Sequence, residues 1–169
     1  MKKVFLMIMA VAAIGFTSCN KEGAKGGEAA DAPEAALAGT PTEGDNYTFT
    51  LPEGFTGESN VLGYQAKCEA DKADFNVAFN EAGPTESQLG EAMGNWTNMK
   101  KNNGETVDEP KIDGNIATLR STKDGTVNEF FLVVFDGSKG VSGTLSFPEA
   151  QAEKYEAMLM PLLKSFKLK

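Results

Sequence analysis

The sequence contains no histidine among its 169 residues. Histidine is the side chain whose unperturbed pKa lies closest to neutral pH, and it is also the commonest protein ligand of zinc. Its absence removes the usual general base and the usual activator of a serine or cysteine nucleophile. The sequence also has no nucleophile elbow, phosphate-binding glycine loop or zinc-ligand spacing. We therefore expect a protein that is not an enzyme and has no cofactor and no metal site.

Cysteine is nearly as scarce, since only Cys19 and Cys68 are present. If Cys19 is modified, Cys68 has no intramolecular partner and no disulfide framework exists. A reactive thiol needs a cationic neighbour, but Lys67 would point to the opposite face of the strand that the alternating pattern around Cys68 predicts. We expect Cys68 to be a buried core residue.

Basic residues are outnumbered by acidic ones, 16 to 24, which gives a formal net charge of −8. An acidic surface repels phosphate backbones and anionic lipid headgroups, so nucleic acid is excluded as a partner. The same charge favours a soluble, monomeric domain and would attract a cationic partner.

The N-terminus carries an apolar run, Val4–Phe16, which follows Lys2 and Lys3. Its 13 residues are too few for the roughly 20 that a membrane-spanning helix needs. A positive start followed by a short apolar core is typical of a secretory signal peptide. Residues 1–18 are therefore predicted to be a signal peptide.

The run ends in Phe16-Thr17-Ser18-Cys19. This segment resembles the lipobox of bacterial lipoproteins, with phenylalanine where leucine is commonest, and its Ser-Cys ending is similar to the lipoboxes of Bacteroidetes. The resemblance implies that Cys19 receives diacylglycerol and further acylation such as palmitate. It also implies that the chain is cut before Cys19 and held on a membrane by lipid, which is stable with two or three acyl chains.

The residues after Cys19 bear on location. Asn20 stands where an aspartate would favour retention in the inner membrane, and Lys21–Glu22 faintly matches surface-export signals. The resemblance thus implies an outer-membrane lipid anchor, on the periplasmic face or the cell surface. Lipidated N-termini of this class are ligands for Toll-like receptors of the innate immune system.

Residues 19–45 are predicted to be the lipidated cysteine and a flexible linker. The segment is rich in Gly, Ala and Glu and has one large apolar residue, Leu37. It cannot bury enough apolar surface to offset its ordering entropy. As a flexible chain it would span roughly 25–30 Å.

Residues 46–169 are predicted to form one folded domain of the α+β class. Tyr47, Phe49 and Leu51 alternate with polar residues, as in a strand, and further strands are expected at 61–69, 73–80, 106–112, 115–121, 126–136 and 141–147. The continuously apolar run Phe130–Phe135 predicts an inner strand covered on both faces. The order indicates an antiparallel sheet with two packed helices, a layered sandwich.

The two helices are expected at Glu86–Lys101 and Glu149–Met160. Thr85 and Gln88 match a capping box at the start of the first helix. Pro161 is expected to kink or end the second helix, leaving a final turn or short strand.

Three segments carry a resemblance to a known fold: Tyr47–Phe55 (an aromatic strand closing on Leu-Pro-Glu-Gly-Phe), Ile112–Ala117 (Ile-Asp-Gly-Asn-Ile-Ala) and Leu163–Phe166 (Leu-Lys-Ser-Phe). They resemble the fold shared by the extrinsic photosystem II protein PsbP and a Ran-binding nuclear import factor. The resemblance implies a PsbP-like domain, a fold that hosts unrelated functions. Metal sites of the photosynthetic members use histidine, so none is carried over.

Few residues are candidates for a site. Trp96 is expected in the core of the first helix, although it could line a ligand cleft. Asp108, Glu109, Asp113 and Asp124 lack calcium-loop spacing and are interpreted as a solvated acidic face. Three function classes stay open: a tethered, non-enzymatic binding or assembly module is preferred, a small-molecule or ion carrier is the alternative, and an enzyme is the third. Two facing carboxylates in a cleft would favour the enzyme.

The lipid anchor is directly testable. The Cys19→Ala variant has no thiol to acylate, so it should give an uncleaved or mis-sorted precursor that carries no lipid and does not stimulate Toll-like receptors. It should also lose the membrane affinity of the acyl chains, to which each buried methylene contributes about 0.8 kcal/mol. Metabolic labelling with a palmitate analogue, followed by detergent-phase partition, measures this. Label that persists in Cys19→Ala, or wild-type protein found wholly in the aqueous phase, would contradict the lipoprotein assignment.

Overall fold

The computed structural model describes residues 37–169, so the predicted signal peptide, Cys19 and most of the predicted linker lie outside the described residues. Strands and helices follow in the order β1 (Gly39–Glu43), β2 (Tyr47–Pro52), β3 (Thr56–Asn60), β4 (Gly63–Cys68), β5 (Ala73–Asn80), α1 (Leu89–Asn102), β6 (Thr106–Val107), β7 (Lys111–Asp113), β8 (Ile116–Lys123), β9 (Thr126–Asp136), β10 (Lys139–Pro148), α2 (Ala152–Lys164) and β11 (Lys167–Leu168). In this part of the chain no helix is long and apolar enough to cross a bilayer.

Eight of the strands form one large antiparallel sheet. Its strand order is β3-β4-β5-β10-β9-β8-β6, and β7 also pairs with β8. The run Phe130–Phe135 lies in β9, between β8 and β10, and is an inner strand as predicted. The structure therefore confirms the α+β class with two packed helices.

A second sheet of three strands has the order β1-β2-β11. Strand β1 lies inside the segment 19–45 that we assigned to the flexible linker, so that linker ends earlier than predicted. The sequence of this segment has no apolar pattern that would predict a strand. The segment is ordered instead by its backbone, which pairs with β2 from Gly39 opposite Pro52 to Glu43 opposite Thr48. Leu37 also packs against the core.

Helix α1 begins as the sequence predicts. A 3-10 turn at Glu86–Gln88 precedes it, and the backbone N–H of Thr85 donates to the Gln88 side-chain oxygen at 3.0 Å. The predicted range Glu86–Lys101 agrees with this turn plus helix to within a residue.

Helix α2 follows a 3-10 turn at Glu149–Gln151 and runs past Pro161 to Lys164, so the predicted end of the helix at Met160 is wrong. The predicted final turn or short strand is present as β11. Proline has no N–H to donate to the carbonyl four residues earlier. That carbonyl belongs to Ala157, an exposed residue whose carbonyl can be hydrated. Buried Leu159, Leu162 and Leu163 hold the helix on both sides of the proline.

Two predicted strands are also corrected. The segment 61–69 is not one strand, because Val61 and Leu62 form an exposed turn between β3 and β4, where the Asn60 side chain accepts a hydrogen bond from the Leu62 N–H at 2.8 Å. The segment 106–112 is divided into β6 and β7 by a break that contains Pro110, which has no N–H for a ladder hydrogen bond.

Each face of the large sheet has its own core. Helix α1 covers one face, hereafter the α1 face, with Leu89 and Met93 packed on Leu119 and Leu132. The small sheet and α2 cover the other, the α2 face, in a cluster built on the aromatic side chains Tyr47, Phe49, Phe75, Phe131, Phe147, Tyr155 and Phe166.

Two glycines give a matched test of this packing. A Cβ at Gly143 would collide with the Asn76 carbonyl and the Phe131 ring, whereas one at Gly94 in α1 meets open space. Gly143→Ala should lower the free energy of unfolding by about 1–3 kcal/mol through overpacking. Gly94→Ala should raise it by up to about 1 kcal/mol through helix propensity. Urea denaturation measures both, and equal effects would contradict the described packing of β10.

Candidate functional site

A cleft of about 410 Å³ opens on the α2 face, between the segment 108–113 and the middle of α2. Strands β8 and β9 form its floor. Its lining combines charged, polar and apolar residues: Asp108, Glu109, Lys111, Ile112, Asp113, Ile116, Thr118, Arg120, Glu129, Glu156, Leu159 and Met160.

Strand register places the floor residues. Arg120 on β8 lies directly opposite Glu129 on β9, so both side chains project to the same face of the sheet. Thr118 lies two residues before Arg120 on that face. Glu156, Leu159 and Met160 face the floor because positions three and four apart share one side of a helix.

Arg120 is the one arginine of the sequence and lies among three carboxylates. Its Nη1 contacts Glu156 directly and lies 3.8 Å from Glu129 Oε1, and its Nε lies 3.7 Å from Asp108 Oδ2. A single guanidinium therefore forms ion pairs with carboxylates from the 108–113 segment, β9 and α2. Its closest contact is with the carboxylate on α2.

Of these three carboxylates, Glu129 is the most deeply buried. Its side chain is 7% exposed, and it accepts no hydrogen bond from any residue in the described range. Burial raises its pKa to about 6, although Arg120 and Lys111 act in the opposite direction and Asp108 adds to the rise. Desolvation of the charged form thus outweighs the nearby guanidinium.

Two other partly buried carboxylates show the contrast. Burial acts to raise the pKa of Glu105, but hydrogen bonds from Ser121 at 2.6 Å and Lys100 at 3.2 Å leave that pKa lowered. Asp71 is held by Lys154 and by the Tyr155 hydroxyl at 2.9 Å, and its pKa is also lowered. Glu129 differs from both because it lacks hydrogen-bond donors.

The remaining wall of the cleft is apolar. Ile116 and Leu159 belong to the core of the α2 face and Met160 packs against it. The cleft is therefore amphipathic, with an apolar side at α2 and an acidic side in which five carboxylates accompany two cations.

The four acidic residues interpreted above as one solvated face separate into two groups in the structure. Asp108, Glu109 and Asp113 line the cleft together, whereas Asp124 lies in the β8–β9 turn and does not. Among residues 37–169, no group of three His, Cys, Asp or Glu side chains is arranged to hold a metal ion.

Trp96 and Cys68 lie away from the cleft. Trp96 packs edge-on against Phe130 on the α1 face, with ring centroids 5.6 Å apart. Cys68 is buried, as its alternating position predicts, and its Sγ lies 3.7 Å from Asp71. The cluster of Asp71, Lys154 and Tyr155 joins the β4–β5 turn to α2, and its groups are mutually satisfied.

Sequence reasoning missed Arg120, Glu129 and Glu156. A signal was available for Glu129, which occupies a core-facing position between Val127 and Phe131 in a period-2 strand. Glu156 had no such signal, since an exposed glutamate on a helix is common.

The pH dependence of stability tests the burial of Glu129. Its raised pKa means that the folded state retains a proton that the unfolded state releases, so its contribution is present below the ordinary pKa near 4.5 and is lost as pH rises through about 6. Relative to wild type, Glu129→Gln should gain about 2 kcal/mol in the free energy of unfolding between pH 4 and pH 7.

Denaturant titrations across this pH range measure the difference in the free energy of unfolding between the variant and wild type. The contributions of the carboxylates that both proteins contain cancel in this difference. Glu153→Gln, an exposed carboxylate on α2 outside the cleft, is the matched control and should follow the wild-type curve. A constant offset for Glu129→Gln would show that the carboxyl is not desolvated.

Comparisons with known proteins identify the fold. No family model and no curated protein sequence matches this chain. Among solved structures, it is similar to cyanobacterial PsbP (CyanoP) from Synechocystis sp. PCC 6803, with a TM-score of 0.53 and 14% identity over 74% of this chain and 88% of that one. It is also similar to the Ran-binding protein Mog1p of Saccharomyces cerevisiae, with a TM-score of 0.52 and 14% identity over 73% of this chain and 90% of that one. The domain therefore has the PsbP/Mog1-like fold that its sequence motifs predicted.

Proposed function

We propose that this chain is a membrane-anchored bacterial lipoprotein whose folded domain is a non-enzymatic binding module. The observation that carries the proposal is the amphipathic cleft between the 108–113 segment and α2, which is lined by both apolar and charged side chains. Binding sites are typically concave and apolar with a few polar groups that fix orientation. The name of the yeast structural relative describes a binding protein, which agrees with this class.

Binding accounts for the cleft better than catalysis does. Glu129 and Glu156 are two carboxylates in one cleft, the arrangement that would favour an enzyme, but Glu156 is in direct contact with Arg120 and is not free. A general acid–base pair needs free access to a substrate proton. The cleft lining also contains no serine, cysteine or histidine that could act as a nucleophile or its activator.

The anchor rests on the sequence of the first 19 residues. Lys2 and Lys3, the short apolar run and Cys19 support a lipid attachment in the outer membrane, on the periplasmic face or the cell surface. The lipid would be the part that Toll-like receptors recognise. The cleft would then present a binding surface at a distance set by the linker.

A small-molecule carrier is the second candidate. The cleft volume of about 410 Å³ falls within the range of roughly 300–1,000 Å³ that small-molecule sites occupy. A carrier would retain a small ligand through purification, whereas an assembly module would contact another protein.

Site-specific photo-crosslinking in the native envelope separates these candidates. A photoreactive side chain at Lys111, in the exposed wall of the cleft, should give a protein adduct. The same side chain at Lys101, an exposed lysine on α1, is the matched control because it removes the same charge on the opposite sheet face. A protein adduct from Lys111 alone supports the module.

The other outcomes are equally informative. Adducts of equal yield from both positions would contradict the cleft as the binding surface. A small molecule found by native mass spectrometry, with no protein adduct from Lys111, would replace the module with the carrier.

A further inference from the structure

The floor of the cleft contains two polar side chains that make no hydrogen bond with the rest of the described domain. The Glu129 carboxylate and the Thr118 hydroxyl line the cleft and belong to residues that are 5% and 7% exposed. Within the described residues neither side chain makes a hydrogen bond. Neither is a fully buried unpartnered atom, as Tyr47 Oη is among the described residues, so both side chains are open to a donor that enters the cleft.

The charge of the cleft favours a cation as that donor. Its lining holds five carboxylates, Asp108, Glu109, Asp113, Glu129 and Glu156, against Lys111 and Arg120. Arg120 makes its closest contact with Glu156, which leaves Glu129 at 3.8 Å. An anionic ligand would be repelled by those carboxylates. A guanidinium or ammonium group could instead donate a hydrogen bond to the Glu129 carboxylate, which accepts none within the described residues.

The apolar wall restricts the class further. Ile116, Leu159 and Met160 lie beside the acidic floor, so the complementary ligand combines a cation with an apolar group. The segment Lys111–Asp113 on the other side is exposed, and in residues 37–169 its strand pairs with β8 alone. A second copy of this chain is a poor partner because each copy carries a net charge of −8.

We infer that the cleft binds an arginine or lysine side chain of a protein partner, with an apolar neighbour of that residue against Leu159 and Met160. This inference rests on the proposed function and names the chemistry of the partner. The cation donates to Glu129 and the Thr118 hydroxyl accepts from it, so Glu129 is the residue that determines specificity for positive charge.

Methionine methyl NMR tests this inference on the full chain carrying Cys19→Ala, which lacks the lipid. Met160 reports on the cleft, and Met99 on α1 is the internal control. The probe is the tripeptide acetyl-Leu-Arg-Leu-amide, with the same peptide carrying glutamate or glutamine at the centre as matched controls. The arginine peptide should move the Met160 methyl signal in a saturable way and leave Met99 in place.

Two variants test whether the Glu129 carboxylate is the group that binds the cation of the peptide. Glu129→Gln should weaken binding of the arginine peptide by about tenfold, the effect of losing a hydrogen bond to a charged group. Glu156→Gln, an exposed position that does not endanger folding, should also weaken binding because it frees Arg120 to pair with Glu129. Glu153→Gln, with the same charge change on the same helix but outside the cleft, should leave the affinity unchanged within about twofold.

Stronger movement of Met160 with the glutamate or glutamine peptide would overturn the inference, as would full affinity in both Glu129→Gln and Glu156→Gln. No movement of Met160 with any peptide would overturn it as well. The proposed function is judged separately, by the crosslink from Lys111, so the failure of one is distinguishable from the failure of the other.

Discussion

The large sheet has two apolar faces, and the need to cover both of them governs the rest of the structure. Seven strands in line span about 29 Å, whereas one helix covers a strip about 10 Å wide. On the α2 face, a single helix is therefore too narrow, and the small sheet supplies Tyr47, Phe49 and Leu51 as additional cover. The cover is incomplete beyond β9, where Thr118 and Arg120 follow Ile116 on β8. The cleft is the place where the apolar cover ends.

The position of Glu129 at this margin explains its chemistry. It lies on the same strand face as Phe131 and Val133, so it is desolvated like a core residue, yet its only nearby guanidinium is shared with two other carboxylates. In contrast, both oxygens of the Glu105 carboxylate accept hydrogen bonds inside the domain, one from Lys100 and one from Ser121. A carboxylate that is partly desolvated and accepts no hydrogen bond is stabilised in its charged form by a ligand that brings a cationic donor. This difference distinguishes the cleft from the other polar clusters of the domain.

Most of the fold could be predicted from the sequence, because local signals and burial agree. The apolar run Phe130–Phe135, the capping residues Thr85 and Gln88 and the alternation from Tyr47 to Leu51 each indicated the correct element. The errors arose where backbone pairing or tertiary packing overrides the local signal. Strand β1 has no apolar pattern of its own, and the buried leucines of α2 carry the helix past Pro161.

The site could be predicted only in part. Asp108, Glu109 and Asp113 are close in sequence, so their shared surface was apparent, but its shape was not. Arg120 and Glu129 meet through the register of β8 against β9, and Glu156 joins them from a helix 27 residues further along the chain than Glu129. Strand register and helix placement are long-range properties, and a single sequence does not display them.

Recognition of a cationic ligand by this cleft depends most on Glu129 being a desolvated carboxylate that the ligand satisfies. The pKa of Glu129, measured directly from the carboxyl carbon by NMR in the presence and absence of saturating acetyl-Leu-Arg-Leu-amide, tests this claim. We expect a pKa of about 6 in the free protein, which falls when the peptide binds because a nearby cation favours the charged form. A free-protein pKa at the ordinary glutamate value, or a raised pKa that the bound peptide leaves unchanged, would contradict it.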